Sequence, residues 1–445
     1  MAKKKILMRT GLSPFENLSE KVISDENLFG NNVGNLLYAF SLFRWLMTDE
    51  DTQIVPDRYR PERGECSEEE IDRINREYSC YIMPMADTFR ISFEKRLREY
   101  TRFIEKLKIP VILVGVGISC ALEPGSVPSC VPEEVVHGFM KAVLERSSMV
   151  GVRGEFTVSV LEKLGYREGE HITAIGCPSM YTYGETIGKQ NALHDPVLDP
   201  GKTLLLSNSI FASDQIHRFI RRTAAQYPNH LYIPQRIEEM RMFYNGKDMD
   251  LKILPKDKTE YPVTLRDPIF DTGRACFPMN IQGWLRATRG AGMAVGPRLH
   301  GSVAAMLSGV PALMIQKDWR TKEVGEYHHF AMADPFTITE QTTLPDLMEG
   351  QDFHGPEKVQ KKNAAHYLEF LKGNEIPTIY DSGFHRKKMP FDRKLEQTKA
   401  TDPILPYTQI SAPARALRNA NRAWNALTYR KLIRCCFIRS ERDFE

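Results

Sequence analysis

The sequence predicts an α/β protein of two Rossmann-like domains facing a cleft, followed by a helical and basic C-terminal extension. Strand-like and helical segments alternate through residues 1–190 and again through 204–335, which is typical of parallel sheets covered by helices. The polar, turn-rich residues 191–203 separate the two sets and are predicted to be a linker. Residues 336–445 form the extension.

Composition agrees with this class. The chain has 445 residues, enough for two or three domains that each bury a core. Hydrophobic residues make up 42% and charged residues 26%, which excludes disordered and fibrous proteins. Eight scattered cysteines lack any C-x-x-C pair, which argues against a zinc site or a disulfide scaffold. With neither a signal peptide nor a membrane-spanning run identified, we expect a cytoplasmic protein.

The individual elements follow from apolar runs and apolar periodicity. Short apolar runs predict strands, at "KKILMR", "VILVGVG", "SMVGV" and "HITAIG" in the first domain and "TLLLSNS", "HLYIP", "GMAVG" and "PALMI" in the second. Helical spacing predicts the intervening helices, at "LLYAFSLFRWLM", "FEKRLREYTRFIEKL", "EVVHGFMKAVLE", "TVSVLEKLG" and "DQIHRFIRRTAAQY". Ligands of such domains bind at the carboxyl ends of the strands, so we expect the site there.

One candidate site lies in "GPRLHGSVAAMLSGVP", residues 296–311. A buried strand precedes it and a helix over 302–307 follows, so Arg298 and His300 are predicted at a strand-to-helix turn, where unpaired helix N–H groups point at a ligand. An unperturbed imidazole exchanges a proton near neutral pH, which makes His300 the candidate general acid. A purely structural histidine is the alternative.

The same arrangement occurs in the first domain. "MVGVRGEFTVSVLEKLG" places Arg153 between a strand and a helix, as Arg298 is placed in the second domain. Guanidinium groups at such positions bind carboxylates and phosphates, so we expect a small dianion between the domains. Arg320 should approach His300 because consecutive strands are usually neighbours, and Lys317 or Lys322 could take its place. Either arginine could instead cap a turn.

The Gly/Asn-rich loop "FGNNVGNLLYAF" is a candidate for binding a sugar. Its glycines allow close backbone approach, and the amides of Asn31, Asn32 and Asn35 both donate and accept hydrogen bonds, as sugar hydroxyls require. A simple N-cap loop is the alternative. We predict a packing role for Cys177, surface or packing roles for the His328–His329 pair, and no metal site.

These stretches together resemble the polysaccharide pyruvyl transferase family. The resemblance lies in "FGNNVGN", "VRGEFTVSVLEKLG", "GCPSMY" and "RLHGSVAAMLSGVPALMI" with "DWRTKE" behind it, in the family's order. It implies a GT-B-like fold and transfer of the pyruvyl group of phosphoenolpyruvate to sugar hydroxyls of a glycan, often as a pyruvate ketal, with loss of phosphate. Phosphoenolpyruvate is then a substrate, and no cofactor is implied.

The resemblance also implies roles for individual residues. Arg298 and His300 match the family's Arg-x-His, Arg153 matches its first-domain arginine, and Arg320 falls where many members carry a basic residue. Gly154 stands where many members have Asp. We therefore expect His300 to be catalytic, Arg153, Arg298, Arg320 and Lys322 to bind the donor, and Asn31, Asn32 and Asn35 to bind the acceptor.

The C-terminal segment is strongly basic. Residues 385–445 carry 14 Lys and Arg against 6 Asp and Glu, although the whole chain has a net charge of only +3. The helical spacing in residues 415–439 predicts a basic helix that contacts an anionic membrane face, with a solvated helix as the alternative. We expect no nucleic-acid partner.

Two other functions agree with the same architecture. One is a GT-B glycosyltransferase that uses a nucleotide sugar, although "GSVAAMLSGVP" lacks the acidic residues that commonly bind the donor ribose. The other is a glycan-binding relative without catalytic activity.

Overall fold

The computed structural model describes residues 5–122, 131–189, 192–250, 260–270, 274–384, 389–421 and 423. Within them lie two six-stranded sheets whose neighbouring strands all run parallel. The prediction of two parallel α/β domains is therefore confirmed.

The first sheet has the strand order β2-β1-β3-β4-β5-β6. Its strands are β1 (Lys5–Met8), β2 (Gln53–Pro56), β3 (Cys80–Pro84), β4 (Val111–Val116), β5 (Val150–Val152) and β6 (Ile172–Ala174). Every residue of β3 and β4 is buried, because helices cover both faces of the sheet.

The second sheet has the order β12-β11-β10-β7-β8-β9. Its strands are β7 (Leu204–Leu206), β8 (His230–Tyr232), β9 (Arg274–Ala275), β10 (Met293–Gly296), β11 (Ala312–Ile315) and β12 (Ala331–Ala333). Both sheets begin with an inner strand and extend to its two sides, and this switch in strand order opens a crevice at the carboxyl ends.

Helices connect the strands and pack on the sheets. In the first domain they are α1 (Glu20–Asp25), α2 (Asn35–Leu46), α3 (Glu68–Glu77), α4 (Glu94–Lys106), α5 (Glu133–Leu144) and α6 (Glu155–Lys163). In the second they are α7 (Asp214–Gln226), α8 (Ile237–Asn245), α9 (Ile281–Thr288), α10 (Leu299–Leu307), α11 (Trp319–Tyr327) and α12 (Leu344–Met348). Helix α10 begins three residues earlier than predicted, so His300 lies inside its first turn.

The C-terminal extension contains α13 (Gly355–Gly373) and α14 (Pro390–Gln397). Helix α13 returns to the first domain, where the ring of Tyr367 packs edge-on against Trp45 at 4.8 Å and the Gln360 amide donates to the Met180 carbonyl at 2.9 Å. Helix α14 is held by an ion pair between Asp392 and Arg44 of α2 at 3.0 Å. The extension thus packs on the body of the protein, a contact that local periodicity does not reveal.

The described cysteines differ in their bonding state. Cys66, Cys80, Cys177 and Cys276 are free, while Cys120 is disulfide-bonded, which the scattered spacing did not predict. In the described part of the chain, no helix combines the length and apolarity needed to cross a bilayer. Most of the predicted basic helix over 415–439 lies outside the described residues, so its membrane contact stays a prediction.

Candidate functional site

Charged side chains gather where the carboxyl ends of the two sheets face each other. Arg9 follows β1, Asp87 follows β3, Arg153 follows β5, Arg298 follows β10 and Arg320 follows β11. Arg9 and Arg298 are each 6% exposed, and Arg153 is fully buried. Burying several guanidinium groups is costly unless anions or hydrogen bonds compensate them, so this cluster marks the junction as a candidate site.

Arg153 is held by two backbone carbonyls of its own domain. Its Nε donates to the Gly115 carbonyl at 2.6 Å, and Nη2 lies 3.4 Å from the Met85 carbonyl. The remaining nitrogen, Nη1, is buried without a hydrogen-bond partner among the described residues. A fixed guanidinium with an unpaired buried donor is ready to bind an anion.

Arg298 is fixed in the same way in the second domain. The turn before it contains Gly296 at φ 148°, where a Cβ would lie 2.2 Å from the Ser207 carbonyl oxygen. Glycine is therefore required for the chain to turn from β10 into α10. Arg298 Nε donates to the Asn208 carbonyl at 2.6 Å, whereas Nη2 is 3.9 Å from a Glu239 carboxylate oxygen and lacks a hydrogen bond within the described structure.

His300 contacts the first domain from the first turn of α10. Its ring lies 5.7 Å from the ring of Tyr38, and a Cβ on Gly34 would lie only 2.4 Å from Nδ1. Gly34 of the predicted sugar-binding loop thus leaves the space that the imidazole occupies. The other ring nitrogen, Nε2, is buried and has no hydrogen-bond partner in the described ranges.

Arg320 and its neighbours form a buried ionic network. Asp87 and Asp318 flank the Arg320 guanidinium at 3.3 and 3.4 Å, and Lys317 also pairs with Asp318. Arg320 Nε is a further buried donor without a partner among the residues described. Burial lowers the pKa of Lys317 to about 8, although Asp318 opposes this shift. The network therefore keeps a cation and an unpaired donor at the strand end.

The positive surroundings control the protonation of His300. Burial, and then the charges of Arg153 and Arg320, lower the pKa of His300 well below its ordinary value, while Asp87 acts in the opposite direction. The imidazole is consequently neutral at pH 7 when no ligand is bound. An anion bound among these arginines would raise this pKa and allow protonation. The expectation of an unperturbed histidine was wrong.

Glu323 joins the two domains. It lies on α11 and is 2% exposed, yet its carboxylate accepts the Thr157 backbone N–H at 3.0 Å and the Thr157 hydroxyl at 2.9 Å, in the first turn of α6. Burial raises the pKa of Glu323 to about 7, although the Thr157 hydrogen bonds and the Arg153 charge oppose this rise. The residue caps a helix of the opposite domain beside Arg153.

Gly154 leaves room for this carboxylate. A Cβ on Gly154 would lie 3.2 Å from the Glu323 Cβ and 3.3 Å from one carboxylate oxygen. The carboxylate beside the Arg153 turn thus comes from α11. Gly117 is similarly close, since its Cβ would lie 3.1 Å from the other oxygen of Glu323.

The three asparagines of the Gly/Asn-rich loop stabilise the loop. The Asn31 amide oxygen accepts from the Asn27 side chain at 2.9 Å, and the Asn32 oxygen accepts the Gly34 N–H at 2.8 Å. The Asn35 amide donates to the Phe29 carbonyl at 3.0 Å. All three are partly exposed, and part of their hydrogen-bonding capacity is used within the loop, so their binding of an acceptor stays a prediction.

The other sequence candidates lie in different surroundings. Lys322 is partly exposed and pairs with Glu326 of its own helix, so the structure brings Lys317, and not Lys322, to the cluster. The predicted packing of His328 is seen directly, because its Nε2 accepts the Cys177 N–H at 2.9 Å. Within the described part of the chain, no group of three or more metal-ligating side chains is found.

Several members of the cluster have no local signature in the sequence. Asp87 follows a strand that was not predicted. Arg9, by contrast, directly follows a predicted strand, as Arg153 and Arg298 do, but its partner Glu62 at 2.7 Å lies 53 positions away. Tyr38 lies on an apolar helix, where it looks like an ordinary core residue. In the sequence, Glu323 cannot be distinguished from an exposed glutamate of α11, because its burial results from contact with the first domain.

Two facing parallel α/β domains with buried arginines at their junction define the class of the protein, a two-domain GT-B-like fold. Residues 32–316 match the polysaccharide pyruvyl transferase family. The match spans well over half of the chain, and the chain belongs to this family. A search of curated proteins found no significant match.

Several solved structures are similar in fold at low identity. The UDP-GlcNAc 2-epimerase of Methanocaldococcus jannaschii is 12% identical with a TM-score of 0.45, over 83% of this chain and 99% of that one. The sucrose-phosphate synthase of Thermosynechococcus elongatus is 10% identical with a TM-score of 0.39, over 97% and 99% of the two chains.

Proposed function

We propose that the protein transfers the pyruvyl group of phosphoenolpyruvate to hydroxyls of a glycan, releasing phosphate and forming a pyruvate ketal. The observation that carries the proposal is the set of buried, unpaired polar atoms at the domain junction: the guanidinium donors Arg153 Nη1, Arg298 Nη2 and Arg320 Nε, together with the ring nitrogen His300 Nε2. A small ligand with both a carboxylate and a phosphate provides acceptors for such a set.

In the proposed reaction, His300 is the general acid that protonates a carbon of phosphoenolpyruvate. A proton from the imidazolium adds to the methylene carbon of phosphoenolpyruvate, and positive charge develops at C2. A sugar hydroxyl oxygen bonds to C2 and loses its proton. The C2–O bond to phosphate then breaks, and a second hydroxyl oxygen closes the ketal. One hydroxyl proton in effect replaces the proton that His300 delivered, and the other leaves with the phosphate.

Titration calorimetry with phosphoenolpyruvate tests the donor assignment. We expect saturable binding to the unmodified protein and at least about 100-fold weaker binding to Arg298→Ala, because charge-assisted hydrogen bonds in a buried site are lost. Lys322→Ala is the matched control and should bind normally, since Lys322 pairs with Glu326 away from the cluster. Binding of UDP-glucose but not of phosphoenolpyruvate would instead support a nucleotide-sugar glycosyltransferase.

Proton uptake on binding tests the electrostatics of the site. At pH 8 the phosphate of phosphoenolpyruvate is already fully ionised, so it has no proton to release. We expect binding to take up protons, because the ligand's negative charge raises the depressed pKa of His300. Calorimetry in buffers of different ionisation enthalpy measures this quantity.

A control is needed because Lys317, with a pKa lowered to about 8, also gains protons when an anion binds. His300→Gln keeps Lys317 and removes the imidazole, so most of the uptake should disappear. Equal uptake in the two proteins would show that His300 does not become protonated.

A further inference from the structure

We propose that Phe211 and Arg236 form a platform, here called the sugar platform, on which a pyranose ring of the acceptor glycan packs. The inference rests on the proposed function, because it locates the acceptor of that reaction. Phe211 and Arg236 themselves lie in none of the sequence motifs.

The exposure of Phe211 is fixed by the fold. Its side chain is 57% exposed, although the adjacent residues Ile210 and Ala212 are 0% and 1% exposed. Ser209 shapes the turn, since its hydroxyl accepts the Phe211 N–H at 3.4 Å and its carbonyl accepts the Ala212 N–H at 2.8 Å. Because both neighbours are anchored in the core, the aromatic ring is held in solvent at a defined position.

Arg236 supports the ring. The centre of its guanidinium lies 5.6 Å from the ring centroid of Phe211, and Nε and Nη2 each donate to the Glu238 carboxylate at 3.0 Å. The Arg236 side chain is only 15% exposed, so this geometry is well packed. The platform therefore combines one apolar ring with charged hydrogen-bonding groups at its margin.

The platform is connected to the Gly/Asn-rich loop of the first domain, which the sequence predicts to bind the acceptor. Residues Asn32 and Arg236 form an antiparallel bridge, and the Ile237 N–H donates to the Asn31 carbonyl at 3.1 Å. The Val33 N–H likewise donates to the Gln235 carbonyl at 2.9 Å. The two domains thus meet directly beside Phe211.

The platform is also connected by direct contacts to the proposed donor site. Arg298 donates to the carbonyl of Asn208, three residues before Phe211, and lies 3.9 Å from Glu239. Glu239 in turn accepts the backbone N–H of Arg236 at 2.8 Å. The same two segments that position Arg298 therefore position the platform.

This combination matches the chemistry of a sugar ring. The C–H face of a pyranose carries slight positive charge and packs on the electron-rich face of an aromatic ring, which has a negative quadrupole. Its hydroxyls need both donors and acceptors, which Arg236, Glu238 and the Asn32 amide supply. A nucleobase also stacks on aromatic rings, and the experiment separates the two ligands.

Saturation-transfer NMR with lactose, cellobiose, chitobiose and mannobiose tests the platform. We expect transfer to at least one disaccharide, with affinity weakened about fivefold to tenfold in Phe211→Ala and restored in Phe211→Trp. Phe336→Ala is the matched control, because Phe336 is 59% exposed on a different segment, and it should not change binding. No transfer to any of the four sugars, an equal loss in the control, or UMP bound in their place would overturn the proposal.

Calorimetry with phosphoenolpyruvate separates this inference from the proposed function. Phe211→Ala should leave the affinity for phosphoenolpyruvate unchanged, because Phe211 supplies none of the buried hydrogen-bond donors. Disaccharide binding that depends on Phe211 without any phosphoenolpyruvate binding would refute the transferase proposal and leave a glycan-binding protein. Donor binding with no effect of Phe211 on sugars would refute the platform alone.

Discussion

His300→Ala is expected to lower the rate of phosphate release from phosphoenolpyruvate by about 10²-fold to 10⁴-fold in the presence of a glycan acceptor. General acid catalysis by a positioned side chain contributes a factor of this size. The effect should fall on kcat more than on donor affinity, since the proposed donor-binding residues Arg153, Arg298 and Arg320 are retained. A phosphate-release assay, with the donor affinity measured by calorimetry, separates the two parameters.

His171→Ala is the control for this experiment. His171 immediately precedes β6, at the amino end of the first sheet, and so lies at the edge opposite the site. Its replacement should leave turnover unchanged. A loss of less than about tenfold in His300→Ala would assign the proton transfer to another group, and an unchanged reaction would support a structural histidine.

Glu323→Gln is expected to change how the free energy of unfolding depends on pH. From pH 5 to pH 8, the difference between the variant and the unmodified protein should shift in favour of the variant by up to about 3 kcal/mol. The folded-state pKa of Glu323 is about 7, above the ordinary value of 4.5, because the carboxyl group is buried. The folded protein therefore holds a proton that the unfolded chain releases between these two values, and stability falls as the pH rises through this window. Glutamine does not ionise and lacks this loss.

Denaturant unfolding of both proteins at pH 5 and pH 8 measures the difference. Other buried acids titrate in the same interval, but they are common to both proteins and cancel in the comparison. Glu326→Gln, an exposed position of the same helix, should follow the unmodified protein at both pH values. An equal pH dependence in Glu323→Gln and the unmodified protein would show that Glu323 titrates normally despite its burial.

The alternation of strands and helices was sufficient to predict the fold class. Long buried strands such as β4 give continuous apolar runs, and the apolar spacing of α4 places Leu97, Tyr100 and Ile104 on its buried face. Four strands were missed, namely β2, β3, β9 and β12. Length explains only β9, because two residues carry no periodicity.

The strand-to-helix turns that carry Arg153 and Arg298 were readable from local sequence, since an arginine just after a buried strand is a local pattern. The depressed pKa of His300 was not readable, because its causes are burial and the charges of arginines from both domains. The Glu323 cap on α6, and Gly34 against the imidazole, likewise join residues more than 150 positions apart. The local sequence thus determines which helices and strands form and which side chains lie at their ends. The burial of these side chains and their electrostatic interactions at the domain junction depend on the packing of the two domains, which the tertiary structure decides.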